Sequence, residues 1–348
     1  MTRFLAVLTL RNEGAFLLEW LAHHRAVGFT DFLIFSNDCD DGTDAMLDRL
    51  AHMGQITHIA NPAPHPRGPQ WEALRRASAH PLFATTDWAM VLDIDEFVNI
   101  HAGDHSLPAL IAHLPDATAI ALVWRFFGNA GVIRYEDRPV TELFTRAAPR
   151  KVIWPWRASM FKTLFRTDGA YRKLGVHRPR APEPARIAQT RWFDSAGQAL
   201  DASFRKQGLF APPGRDHYAL AQLNHHALGA IESYLLKIDR GRANREDGPL
   251  GMDYWVERNW CDVEDQTISA LAPARAREQA ALMADPELAR LHHAAVAWRH
   301  RRIDALMRDD GMRALFGRLV ITPPARVIDP VLARHIYHYA RKAQGRGR

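Results

Sequence analysis

The sequence predicts an α/β fold: a mostly parallel, Rossmann-like sheet flanked by helices, followed by a helical C-terminal extension. Three observations carry this. Over the first 130 positions, short apolar runs alternate with amphipathic stretches of helical spacing. Polar clusters stand directly after the apolar runs, where open parallel sheets bind ligands. From about residue 229 the pattern turns helical.

"RFLAVLTL" (3–10) reads as the first strand, and "EGAFLLEWLAHHRAVG" (13–28) as a helix that Gly28 stops. "DFLIFSN" (31–37) is a second strand. "DGTDAMLDRLAHMG" (41–54) is a helix with Thr43 or Asp44 as N-cap and Gly54 as its stop. "QITHIAN" (55–61) is a third strand, and "PQWEALRRASAH" (69–80) a helix opening on Pro69. "DWAMVLDID" (87–95) is a fourth strand, "SLPALIAHL" (106–114) a short helix and "TAIALVWRFFG" (118–128) a fifth strand. Residues 130–225 hold prolines, scattered aromatics and short apolar runs, which predict irregular structure with some strands. No internal repeat is present. The division expected is a catalytic domain over 1–260 and a helical extension over 261–348.

The 348 residues are 47% hydrophobic and 24% charged, so a large core can form and disorder is excluded as a class. Net charge is +6, a mild excess that favours anionic ligands without choosing among them. Part of it sits in "WRHRRIDALMR" (298–308) and "ARKAQGRGR" (340–348), read as solvated charge. Two distant cysteines, Cys39 and Cys261, give neither a disulfide framework nor a zinc cluster, and fit a reducing cytoplasm. The N-terminal apolar run is too short for a signal segment, and no run of transmembrane length exists. Peripheral membrane attachment stays open.

The fourth strand ends in acids. Asp93 and Asp95, at i and i+2, share one side of an extended strand. Like charges this close repel unless a cation lies between them. A hard divalent ion such as Mg2+ or Mn2+ prefers oxygen ligands and shares itself with phosphates, so the pair suits a metal–diphosphate site. The plain alternative is a strand exit where acids meet water.

With these segments in order, the sequence resembles the nucleotide-sugar half of GT-A-fold glycosyltransferases. It is closest to bacterial family-2-like proteins related to glycosyltransferase family 92. The resemblance rests on residues 3–54 with "DWAMVLDIDEF", and continues through "ALVWRFFGNAG", "FKTLFR", "GVHRPR", "LNHHALGAIESYLLKIDRGRAN" and "DYWVERNW", over roughly 3–260. It implies a metal-dependent, inverting transfer of sugar from a UDP-sugar to an acceptor hydroxyl on a glycan, lipid-linked or protein acceptor. Asp93 and Asp95 would hold the metal against the diphosphate. Asn12 and Glu13 would line the nucleotide, and Asn37 and Asp38 would meet base or ribose. Arg75 or Arg76 would approach the donor. A late histidine, His225 or His177, would complete the metal shell, with His225 favoured because Tyr234 and Lys237 follow it.

Lys237, Arg240 and Arg242 would offset charge on the departing UDP, or simply cap a helix end. Transfer also needs a base for the acceptor hydroxyl. Candidates are Glu142, Asp137, Glu136 and Glu96, with Glu142 ahead on the family's pattern at "VTELF". Trp154 and Trp156, in a proline-rich stretch, are the aromatics set to stack on a sugar. Of the paired histidines, one of His23 and His24 should pack and the other be solvated, and His292 and His293 should face solvent.

No zinc-protease, deaminase, P-loop or nucleophile-elbow motif occurs. Two rivals remain. A nucleotidyltransferase would need a glycine-rich phosphate loop after the first strand, where "RNEG" has one glycine. A non-enzymatic module holding anionic glycans or nucleic acid on its basic helices would bind with steep salt dependence. The transferase reading expects no nucleic-acid partner.

Overall fold

The computed structural model describes residues 1–241 and 250–345; Arg242 lies outside the described residues. The alternation of the first hundred residues folds as β1 (Phe4–Leu10), α1 (Gly14–Val27), β2 (Asp31–Ser36), α2 (Thr43–His52), β3 (Thr57–Ala60), α3 (Pro69–Ser78) and β4 (Trp88–Leu92). β1 pairs in parallel with β2 and β4, and β2 with β3. Successive β1 residues serve opposite faces, as the pleat demands. Phe4, Ala6, Leu8 and Leu10 join the core under α1, while Leu5 and Val7 join the core under α3. A strand buried on both faces reads as a continuous apolar run, which is what "FLAVLTL" is.

Gly28 ends α1 with φ 111°, a conformation that side chains disfavour. α2 begins differently from expectation. Thr43 is its first residue, not its cap. The carboxylate of Asp41 accepts from the Thr43 N–H at 2.9 Å and from the Gly14 N–H at 3.0 Å. One side chain thus fixes the starts of both helices at the ligand edge.

β4 ends at Leu92 rather than at Asp95. Asp93, Ile94 and Asp95 form a turn, and Glu96–Ile100 is a separate strand, β5. β6 (Ala119–Phe126) is buried along its whole length. It pairs antiparallel with β7 (Phe161–Arg166) and in parallel with β8 (Ala221–His225). β7 also closes antiparallel onto β4, and β8 onto β5. Among the described residues one nine-stranded sheet results, in the order β3-β2-β1-β4-β7-β6-β8-β5, with Trp192–Asp194 added beside β6. Helices flank it, giving the α/β class expected.

The C-terminal region is helical, as expected, and packs on the sheet's own core. Leu282, Leu288 and Ala295 share a cluster with Leu17 and Leu21 of α1. Gly14 permits this approach: a Cβ there would stand 3.0 Å from the Ala295 methyl. Among the described residues no helix is long and apolar enough to cross a membrane.

His23 and His24 are both buried, correcting the expectation that one is solvated. Nε2 of His23 bonds the Val98 carbonyl at 2.8 Å, and Nδ1 of His24 bonds the Trp20 carbonyl at 2.8 Å. Both rings therefore face β5, a strand whose existence the sequence pattern did not disclose. Burial pushes His23 down to about 4 and His24 well below the ordinary imidazole range. Because the folded value lies below the unfolded one, the unfolded chain binds the proton first. Stability is then lost as pH falls from about 6.5 towards 4. For His23 alone the loss at pH 5 is about 2 kcal/mol. The melting temperature should drop between pH 7 and pH 5, and drop less in His23→Gln; equal drops would exclude this histidine as the cause.

Candidate functional site

The turn that ends β4 is held from all sides. Lys162, fully buried on β7, lies 2.9 Å from Asp93 Oδ2 and 3.2 Å from Glu96 Oε2. Burial alone would lower its ammonium, but the two carboxylates more than offset this and raise it. The carboxylate of Glu96 also accepts from the Asp93 N–H (2.8 Å) and from the Trp124 indole (2.6 Å). The Trp20 indole donates to the carbonyls of Asp93 and Glu96, both at 3.2 Å. Glu96 is thus a sealed anchor of the turn and lines neither the cleft beside Asp95 nor the space adjoining it.

Asp95 is turned outward beside a cleft of about 1060 Å³, and its carbonyl accepts from the His226 N–H at 2.8 Å. Lys237, on the helix Ile231–Asp239, donates to its Oδ2 at 2.6 Å and to the Ala227 carbonyl at 2.8 Å. Burial would raise the Asp95 carboxyl, but the Lys237 ammonium outweighs it and holds the group well below the usual range. His225 ends β8 with Nε2 3.8 Å from Asp95 Oδ1 and Nδ1 without a partner. Its ring leans on Trp124 at 4.3 Å. Burial pushes its imidazole down, against the pull of Asp95, so the ring is neutral at neutral pH, as a metal ligand must be.

These atoms fit a divalent ion in one way. A gap of 3.8 Å is too long for a hydrogen bond, yet an ion can bridge it. Asp95 Oδ1 and His225 Nε2 are therefore the pair that could hold a cation. Both oxygens of Asp93 are instead met by donors, Lys162 and Nε2 of Gln70 at 3.1 Å. His177 lines the same cleft, but its Nδ1 bonds the Phe161 carbonyl at 3.0 Å.

Asn37 and Asp38, from the end of β2, line the cleft. Nδ2 of Asn37 donates to the Leu10 carbonyl at 2.8 Å, and its Oδ1 accepts from Asn61 at 2.6 Å. Asp38 stands at φ 46°, with its carboxylate accepting from the Ala63 N–H at 3.2 Å. Asn12, at φ 55°, accepts from the Asp40 N–H at 2.7 Å and faces an adjoining apolar cavity. Glu13 lines both spaces and is ion-paired with Arg240.

Six expected positions lie elsewhere. Arg75 projects into solvent, paired with Glu72 at 2.5 Å; five residues after Gln70 on one helix, it points away from the cleft. Arg76 donates to the Ala60 carbonyl at 2.7 Å. Glu142 pairs with Arg275 over a separate hollow that also includes His23. Its short helix is held by Glu19, which accepts from the Val140 N–H at 2.7 Å. Asp137 faces His292 at 3.2 Å, and His292 is buried, not solvated. Arg299, expected as solvated charge, is buried 3.9 Å from Glu13, with its guanidinium over Phe16 and Tyr135. Trp154 and Trp156 meet edge to face at 4.5 Å and do not line the cleft.

Sequence reasoning missed Lys162 and Gln70. A lone lysine inside the apolar run "MFKTLF" was a signal for the first. For Gln70 the signal was its place in the first turn of α3, which faces back to the sheet edge.

A parallel α/β half with an acidic turn after its fourth strand puts the cleft where open sheets of this class bind ligands. Glycosyltransferase family 92 matches residues 7–192, more than half of the chain. The chain belongs to that family. A glycosyltransferase family 92 protein of Oryza sativa subsp. japonica is 26% identical over 152 residues, covering 41% of this chain and 24% of its own length. One of Ricinus communis is 27% identical over 153 residues, covering 40% and 25%. The chain thus spans about a quarter of the length of these curated relatives. Among solved structures, S. aureus TarS 1–349 in complex with UDP aligns with a TM-score of 0.30 and 14% identity, over 48% of this chain and 47% of that one.

Lys162 makes a stability prediction. Lys162→Met leaves two carboxylates without their counter-charge, one of them fully buried, and should cost about 3–5 kcal/mol in urea unfolding. The double change Lys162→Met with Glu96→Gln should recover part of that loss. A loss below about 1 kcal/mol for the single variant would show that the turn does not depend on this lysine.

Proposed function

We propose that the cleft binds a nucleotide-sugar, with a UDP-sugar as the donor, and that the protein transfers the sugar to an acceptor hydroxyl with inversion. The observation that carries this is Asp95, set between His225 and Lys237 in the lining of a cleft that β1, β2 and β4 open into. Membership of glycosyltransferase family 92 supports the same reading.

In this reading Asn37 and Asp38 take the nucleoside end. Gln70, whose Oε1 has no partner among the described residues, offers an acceptor to a ribose hydroxyl. Asp95 and His225 hold a divalent ion, Mn2+ or Mg2+, which supplies electrostatic stabilisation of the departing diphosphate when bound. Lys237 and Arg240 line the cleft and add positive charge where that diphosphate leaves. Asp93 acts through Lys162 and Gln70 to keep the turn in place.

The acceptor enters beside Asp95, where the adjoining cavity is lined by Glu136. Of the four carboxylates weighed from the sequence, Glu136 alone lines that cavity, so it serves as the base in this reading. The acceptor is a hydroxyl of a glycan, lipid-linked or protein molecule. Two distant free thiols, Cys39 and Cys261, support a reducing, cytoplasmic setting.

The test is turnover of UDP-sugars with Mn2+. Asp95→Ala should lower hydrolysis or transfer by about 10²–10³-fold while leaving the circular dichroism spectrum unchanged. Glu136→Gln should lower transfer more than donor affinity. Wild-type activity in Asp95→Ala would sink the reading.

A further inference from the structure

We propose that Asp137, His292 and His293 form a Zn2+ site that ties the long C-terminal helix to the segment after β6. The site is separate from Asp95 and independent of the sugar-transfer reading.

The three side chains come from distant parts of the chain. His292 and His293 are neighbours on the helix Pro286–Leu306, and Asp137 lies in the segment after β6. One ligand atom from each lies within 4.8 Å of the others. Nε2 of His292 is 3.2 Å from both Asp137 oxygens. Two ligands of one tetrahedral zinc, each at about 2.0–2.1 Å, stand about 3.3 Å apart. The His292–Asp137 pair already has that spacing.

His293 needs only a small side-chain rotation to join. It is exposed, with its ring centroid 5.6 Å from that of His292, and nothing in its burial opposes the movement. Asp137 is exposed too, so an ion has an entry path and water can take a fourth position. His292 is different: it is buried, and its Nδ1 has no hydrogen-bond partner. Burying an imidazole with one nitrogen unpaired is costly, and a coordinate bond at Nε2 offsets that cost better than one long hydrogen bond does. Two imidazoles with one carboxylate select zinc over Mg2+, which prefers oxygen.

The consequence reaches the proposed acceptor cavity. Tyr135, Glu136 and Arg138 flank Asp137 and line that cavity, as do Trp298 and Arg299 of the same helix. An ion on Asp137 and the two histidines would fix two walls of the space beside Asp95.

The experiment is isothermal titration of zinc chloride into the full chain at pH 7.5, alongside His293→Ala, Asp137→Ala and His225→Ala. His293 is exposed, so the melting temperature of His293→Ala without zinc should match wild type; Asp137→Ala also removes the partner of buried His292 and is read by its isotherm alone. We expect the zinc site to persist as a saturable site in His225→Ala, where the Asp95–His225 pair no longer competes for the ion. It should weaken by at least about tenfold in His293→Ala and in Asp137→Ala. No saturable binding in wild type would leave the cluster an ordinary ion pair and overturn the proposal. So would an isotherm unchanged in His293→Ala and Asp137→Ala, or one lost only in His225→Ala.

Discussion

The structure around the cleft depends on one buried cation. Lys162 reaches from β7 to Asp93 and Glu96, at the point where β4 must end. A lysine with no exposed surface is tolerable only because two carboxylates surround it. The same contact explains why the chain reverses after Leu92. With Glu96 drawn inward to Lys162, Trp124 and the Asp93 N–H, the backbone turns and β5 runs back beside β8. Asp95, two residues on from Asp93, is left facing the opening.

The site is therefore assembled across the chain. The turn belongs to the parallel half, whereas His225 and Lys237 arrive from β8 and the helix that follows. The match to glycosyltransferase family 92 ends at residue 192, before either of them. The later helices then enclose the space beside Asp95 through Trp298 and Arg299. Their burial against α1 gives them a reason to be in the chain beyond solvated charge.

Much of this was legible in the sequence, and the exceptions share a cause. Local periodicity announced β1 to β4 and the helices between them, because β1, β2 and β4 are buried on both faces and leave uninterrupted apolar runs. Asp93 and Asp95 stood out because carboxylates seldom follow such runs without a partner. What stayed hidden depended on partners far away in sequence. β5 was merged into a loop because its pairing strand lies over a hundred residues later. One of His23 and His24 looked solvated until β5 covered both, and the partner of Glu142, Arg275, lies over a hundred residues later. Arg75 or Arg76 was expected at the donor, but the helix angle sends Arg75 to solvent and leaves Gln70, five residues earlier, in the cleft lining.

In the proposed function Asp95 and His225 make the cleft a metal-assisted diphosphate site. Calorimetric titration of UDP with and without Mn2+ tests it most directly. Wild type should bind UDP at least about tenfold more tightly with Mn2+ present, and a folded Asp95→Asn variant should lose that gain. UDP affinity that is the same in both conditions for wild type would contradict the account.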